Sequence, residues 1–260
     1  MIGFLRHHGV SMGRGMVSLV FPDKCLKCGV YIRRDPTFPL SACYCGACLG
    51  NALPIFQSPF CTCCGHLFRS RAGENHLCEP CLKKRPVLAR VRAAFEYKDT
   101  IREAVARFKY QSRLSLSYPF EHYLFDAFCT WFGHEEIHLI LPVPLHPKKA
   151  RQRGFNQSFL LIRRFPSLFR KKFGVLPPWA VDISSLARIR YTTSQTGLDI
   201  RERKRNLRQA FKWRGSGNLR GKNLLLVDDV YTTGATCHAA ARALKAAGAQ
   251  TVSALVLART

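Results

Sequence analysis

The sequence predicts an α/β chain in which a central, mostly parallel sheet follows a small cysteine-rich module. Residues 224–227 (LLLV) are apolar without alternation, and residues 137–145 and 251–257 are nearly so. Such runs suit strands buried on both faces of a parallel sheet. Stretches with helical spacing lie between them, which is the rhythm of βαβ units. Ten of the 12 cysteines fall between residues 25 and 81, which sets that segment apart.

A chain of 260 residues suffices for one medium domain and a small one. The expected division is an extension over residues 1–20, a metal module over 21–85 and the α/β domain over 86–260. The basic, proline-containing connector KKRPVLARVR at residues 83–92 marks the boundary. An apolar content of 47% provides a core and argues against global disorder. No stretch approaches the roughly 20 apolar residues of a membrane span. The first 22 residues have neither a continuous apolar core nor a small-residue cleavage site, so a cytoplasmic protein is expected. Met12 and Met16 offer alternative starts. The net charge of +25, from 41 basic and 16 acidic residues, points to a polyanionic partner: nucleic acid, a membrane surface or phosphorylated small molecules.

In the module, four CxxC pairs follow one another: Cys25/Cys28, Cys45/Cys48, Cys61/Cys64 and Cys78/Cys81. A CxxC turn lets two thiolates converge on one ion, and Zn²⁺ takes four in a closed tetrahedron. Eight cysteines therefore support two structural sites. Sequential pairing is simplest, and spacing leaves a crossed pairing open. Cys43 and Cys63 are extra, and His66 and His76 are conceivable substitutes. The segment is too short for a large core, so metal would supply its folding energy. Four thiolates leave no open coordination position, which argues against a catalytic metal. Disulfides are the weaker alternative in a cytosolic chain.

Residues 90–97 read as a strand. A helix follows, with Thr100 and Glu103 at capping-box spacing and Ile101, Val105 and Phe108 on one face. It ends at Lys109-Tyr110; a lysine there is ordinarily a solvated C-terminal charge. Residues 114–132 form an aromatic, core-forming helical stretch. The strand over 137–145 runs into the loop HPKKARQRGFNQS, which turns at Gly154 and starts a helix near Asn156. Its Lys148, Lys149, Arg151 and Arg153 can face a pyrophosphate or a nucleic-acid backbone. Residues 186–208 are dense in arginine around TTSQTG and include Arg201, Arg203, Lys204 and Arg205. They suit a loop that closes over a charged substrate, or an exposed basic helix. Residues 210–213 form a short strand. The turn GSGNLRGK that follows is no P-loop, because its glycine spacing fails and Asn223 replaces the required hydroxyl.

The strand over 224–227 ends on adjacent carboxylates, Asp228 and Asp229. The polar turn Thr232, Thr233, Gly234, Ala235 and Thr236 comes next, and an alanine-rich helix runs over 237–247. Free N–H groups and the dipole at that helix start favour a phosphate, and the acids can reach the hydroxyls of the attached sugar. Ordinary turn residues before a capped helix are the plainer alternative. The stretch resembles the phosphoribosyl-pyrophosphate (PRPP) signature of type I phosphoribosyltransferases. That resemblance implies ribose binding by Asp228 and Asp229 and a 5′-phosphate cradle of Thr232, Thr233, Gly234, Ala235 and Thr236, with Mg²⁺ bound alongside PRPP.

The order CLKCG, LPVPLHPKKARQRGFNQS, TTSQTGLDIRERKRNL and LLLVDDVYTTGAT is similar, over about residues 20–260, to the ComF family. That resemblance implies a double zinc ribbon fused to a type I phosphoribosyltransferase-like, Rossmann-like domain. It implies a role in natural competence, handling of incoming single-stranded DNA, and contact with other competence or DNA-processing proteins. It places Arg153, Gly154, Asn156 and Gln157 in one functional loop and Thr192, Gln195, Leu198, Arg203 and Asn206 in a second. Lys109 opens the loop facing the pyrophosphate, and Arg153 joins it in PRPP binding. Lys148, Lys149, Arg151, Arg201, Arg203, Lys204 and Arg205 are the expected nucleic-acid contacts. Two functions follow. One is pentosyl transfer from PRPP to an unidentified acceptor. The other is a non-catalytic, zinc-dependent nucleic-acid binder with PRPP as its regulatory ligand.

Overall fold

The computed structural model describes residues 23–35, 37–50, 52, 54, 59–68, 70, 73–191 and 209–260. The chain divides into two compact units, residues 1–51 and 52–260.

In the first unit, a turn through Cys25 and Cys28 is closed by the Cys25 N–H donating to the Val30 carbonyl and the Gly29 N–H donating to the Cys25 carbonyl. A 3₁₀ turn, Pro39–Ala42, leads into the short helix α1, Gly46–Leu49. Leu40, Tyr44 and Leu49 are buried, and this small core is what apolar packing offers the unit.

The second unit opens with the remaining cysteine pairs and α2, Glu79–Lys83. Its body comprises β1 (Val91–Glu96), α3 (Asp99–Tyr110), α4 (Ser117–Phe132), β2 (Leu139–Pro142), α5 (Pro147–Arg153), α6 (Gln157–Leu160) and α7 (Phe165–Phe173). There follow β3 (Ala180–Val181), β4 (Leu186–Arg188), β5 (Phe211–Trp213), β6 (Asn223–Tyr231), α8 (Ala235–Ala246) and β7 (Thr251–Arg259). The main sheet has the order β1-β7-β6-β2-β3 and is parallel throughout. β4 and β5 form a separate antiparallel pair.

The apolar runs become strands because both faces are covered. Leu224 and Leu226 pack with Val252, Ala254, Val256 and the buried alanines 239–241 of α8. The alternate residues Leu225, Val227, Leu255 and Leu257 are just as buried and point to the other face, where α4 crosses β1 and β7. Alanines at that α8 interface let the helix approach the sheet closely. The aromatic residues of α4 interlock with Phe95, Phe108 and Phe165, each buried ring contributing about 1.5–3 kcal/mol. Glu121 is fully buried among them, and its carboxylate accepts from the Arg164 backbone N–H (2.5 Å) and Nε (2.6 Å).

Three expectations are revised. Residues 224–227 are only the first half of β6, because pairing with β7 carries the strand on to Tyr231↔Arg259. The Thr100/Glu103 capping box does not form: Lys98 caps α3 without a side-chain bond, and Glu103 instead pairs with Arg107 at 2.8 Å. The segment 186–208 is not one loop, since residues 186–188 are β4. Residues 192–208 lie outside the described residues. With them go Thr192, Gln195, Leu198, Asn206, Arg201, Arg203, Lys204 and Arg205. No helix among the described residues is long and apolar enough to cross a membrane.

Candidate phosphoribosyl site and cysteine clusters

The candidate site lies where one strand outruns its neighbour. β2 pairs with β6 only as far as Pro142↔Val227, and the Val143 N–H makes the last bond to the Val227 carbonyl. Prolines 142 and 144 then end the ladder. β6 continues along β7, so Asp228 and Asp229 fall in the open notch at the carboxyl end of the sheet. Crevices outside the carboxyl ends of parallel strands are where such sheets bind ligands.

Asp229 is 8% exposed and forms an ion pair with Lys109 at 2.7 Å. Burial pulls the Lys109 ammonium down, but the carboxylates of Asp229 and Asp228 more than offset this and hold it above its ordinary value. Asp228 accepts from the Ser158 hydroxyl (3.0 Å) and from the Asp229 backbone N–H (2.9 Å). The Cys237 thiol approaches its other oxygen at 3.8 Å. Burial, with the neighbouring Asp229 charge, pushes the Asp228 carboxyl up to about 7.

The turn after β6 is shaped by one glycine. Gly234 is the N-cap of α8 with φ +70°, and a Cβ there would lie 2.2 Å from the Tyr231 ring. Both the backbone angle and the ring beneath it require glycine. Thr232 and Thr233 stand exposed, and the Thr233 hydroxyl accepts from the Ala235 N–H at 3.4 Å. α8 is 12 residues long, and its first N–H groups and dipole favour an anion over this turn.

Cations surround the notch. Arg153 stacks on Tyr110, beside Lys109, at 5.1 Å. Half-buried Arg188 lies over Phe211 at 5.4 Å and senses the Asp228 charge. Burial lowers Lys149, and the nearby charges of Arg188, Arg153 and Lys109 lower it further. Cations that depress one another in this way mark a field suited to a polyphosphate.

The cysteines converge in sequence order: Cys25, Cys28, Cys45 and Cys48 form one cluster, and Cys61, Cys64, Cys78 and Cys81 the other. Within each, the sulfurs lie within 4.8 Å of one another. Cys28 and Cys45 are 3.6 Å apart and Cys64 and Cys78 3.7 Å. A zinc tetrahedron with Zn–S near 2.3 Å requires sulfurs about 3.8 Å apart. The Cys64 and Cys78 N–H groups both point at the Cys61 sulfur at 3.4 Å. Burial alone would raise that thiol, but these N–H groups outweigh it and hold it down at about 6. Both donor sets fit a tetrahedral thiophilic ion such as zinc. Cys43 and Cys63 fall outside the clusters; Cys63 points to the Leu88 carbonyl instead.

A family model described as a phosphoribosyl transferase domain matches residues 176–260. The chain is 30% identical over 236 residues to "DNA utilization protein YhgH" of Salmonella typhi, covering 83% of this chain and 97% of that protein. It is 29% identical over 222 residues to "Competence protein F" of Haemophilus influenzae, covering 82% and 90%. It is 26% identical over 175 residues to "Competence protein ComFC" of Bacillus subtilis, covering 67% and 66%. The chain belongs to the ComF family.

In this ComF-family chain, α5 carries Lys148, Lys149 and Arg151. Lys148 and Lys149 lie 5.1 and 5.9 Å from the Tyr191 ring, which also meets His146 edge-on at 5.1 Å. Among the aromatic residues interspersed with the basic ones, Phe211 is core while Tyr191 sits among cations. Sequence reasoning passed over Ser158 and Arg188. Ser158 directly follows the RGFNQ run, but only the fold shows that it reaches across 70 positions to Asp228. Arg188 was hidden among other arginines, and its pairing strand marks it out.

Proposed function

We propose that this ComF-family chain binds PRPP with Mg²⁺ and transfers its phosphoribosyl group. The single observation that carries this reading is the pair Asp228 and Asp229 at the end of β6, directly before a glycine-shaped turn that caps α8. In it, Thr232, Thr233, Gly234, Ala235 and Thr236 cradle the 5′-phosphate, and the two carboxylates accept from the ribose 2′- and 3′-hydroxyls. When bound, Mg²⁺ would neutralise charge on the pyrophosphate, and Asp228 and Asp229 are the carboxylates that would hold it. Lys109, Lys149, Arg153 and Arg188 stabilise the pyrophosphate as its bond to the ribose carbon breaks. When PRPP enters, before any bond breaks, Lys109 exchanges its ion pair with Asp229 for a phosphate oxygen, which frees Asp229 for the sugar. The acceptor forms the new bond to that carbon and loses a proton.

Calorimetric titration with PRPP and Mg²⁺ tests the reading. The wild type is expected to bind saturably, and Asp228→Ala/Asp229→Ala to lose binding while keeping its fold. A well-folded wild type that takes up no PRPP would refute the transfer reading.

The names of the relatives link those proteins to competence and DNA utilization, and we extend that role to this chain as handling of single-stranded DNA in the cytoplasm. The net charge of +25 and the Lys148–Lys149–Tyr191 cluster support it, since phosphates pair with cations while bases stack on rings. Replacing Lys148, Lys149 and Arg151 with glutamine is expected to weaken DNA binding and reduce its salt slope by up to about 3. An unchanged slope would assign the DNA contact elsewhere. A non-catalytic protein regulated by PRPP would show both binding activities without pyrophosphate release.

A further inference from the structure

The second cysteine cluster faces the phosphate turn across a cavity of 610 Å³. One wall is Thr232 and Thr233, with His238 and Arg259 behind them. The other is the cysteine ribbon, which contributes Phe68 and His76. These two rings are parallel, 4.0 Å apart and inclined by 1°. The ribbon is fixed to the sheet through its backbone carbonyls. The Val91 N–H donates to the Cys63 carbonyl at 2.7 Å, Arg92 donates to the Thr62 carbonyl at 2.9 Å, and Arg259 donates to the Cys64 carbonyl. Gly65, at φ +68°, lies flat on the Val91 carbonyl, where a Cβ would come within 2.5 Å. The aromatic wall therefore stands at a set distance from the turn.

The chemistry of the walls specifies an occupant. A stacked ring pair with the exposed His76 at one end offers a π-face to a flat molecule. His76 Nδ1 lies 2.9 Å from the Glu74 carbonyl, which can only accept, so Nδ1 carries the proton and Nε2 is an acceptor in the neutral ring. Arg259 and the threonine hydroxyls supply donors. The volume lies in the range of small-molecule sites. We propose that this cavity binds a nucleobase, stacked on the Phe68–His76 pair and reaching the threonines of the phosphate turn. The inference rests on the phosphoribosyl reading only in that the two ligands share Thr232 and Thr233. Base recognition itself stands on the cavity. The base can come from a free nucleoside or from a DNA strand, and the two are separable.

The test uses the full, metal-loaded chain and three variants, Phe68→Ala, His76→Ala and Phe68→Leu. Binding of the four deoxynucleosides and of a short oligothymidine is measured by calorimetry, with metal content and PRPP affinity measured on each preparation. Loss of a stacking ring is expected to weaken nucleoside binding about tenfold or more, with both metals retained and PRPP affinity unchanged. A loss confined to oligothymidine supports the proposal with the strand as source. Wild-type affinity for both probes in metal-replete alanine variants overturns it, as does a wild type that binds neither the nucleosides nor oligothymidine. A wild type that binds nucleoside but not PRPP leaves this proposal standing and removes the phosphoribosyl reading. If an alanine variant loses metal, Phe68→Leu, which keeps apolar bulk without a π-face, decides the matter.

Discussion

Asp228 combines two roles that pull against each other. Its carboxyl is buried beside Asp229 and raised to about 7, against 3.8 for an unperturbed aspartate. The folded chain thus holds this proton more tightly than the unfolded chain. The associated stability is present in acid and is lost as pH rises from about 4 through about 7. Asp228→Asn removes this loss, which runs at up to about 1.4 kcal/mol per pH unit in that window. The variant is expected to melt higher than wild type at pH 8, to match it near pH 4, and to fail to bind PRPP. Equal melting temperatures at pH 8 would show that the fold does not raise the Asp228 carboxyl. The sequence displayed the acid pair and its turn because strand, acids and glycine are contiguous. It did not display Ser158, Arg188 or the Lys109–Asp229 pair, because those partners meet only when the sheet and its crossover helices assemble.

At the scale of single elements, α4 makes the firmest structural demand. Its aromatic residues were legible as core, yet Glu121 among them gave no sign of its partner, since Arg164 lies 43 positions away. A buried carboxylate with two short bonds to one residue is costly to break from either side. Glu121→Ala leaves the Arg164 guanidinium without its carboxylate, and a loss of about 3–5 kcal/mol is expected in denaturant unfolding. Glu121→Gln, which keeps an acceptor, should lose less; equal losses would mean that packing, and not charge pairing, sets the cost. The two features of these elements that differ from sequence expectation have separate causes. β6 runs beyond its apolar core because its pairing with β7 continues as far as Tyr231↔Arg259, a non-local condition that no local pattern records. The Thr100/Glu103 spacing met the pattern for a cap, but Glu103 found Arg107 one turn on.

For the whole molecule, two four-cysteine sites were legible from spacing, whereas their sequential pairing and the attachment of the second to the α/β body were not. Arg92 is buried, stacks on Phe60 at 4.8 Å and on Trp131 at 5.4 Å, and donates to the ribbon backbone; burial lowers its guanidinium to about 10. A buried cation stacked on rings and bonded to the ribbon couples ribbon and sheet. Stripping metal from the second cluster, or Cys61→Ser, is therefore expected to lower the melting temperature of the α/β body by several degrees in calorimetry. An unshifted main transition would show that the ribbon is merely appended. The sheet order has a consequence for synthesis. Among the described residues, β1 has β7 as its one neighbour in the main sheet, so a strand made before residue 100 waits for residues 251–259. On the ribosome, the nascent chain carries that strand with its edges unpaired while about 150 further residues are translated. During that interval the ribbon, already translated and bonded to Val91 and Arg92 in the folded chain, is the neighbour at hand to shield β1 from misassembly.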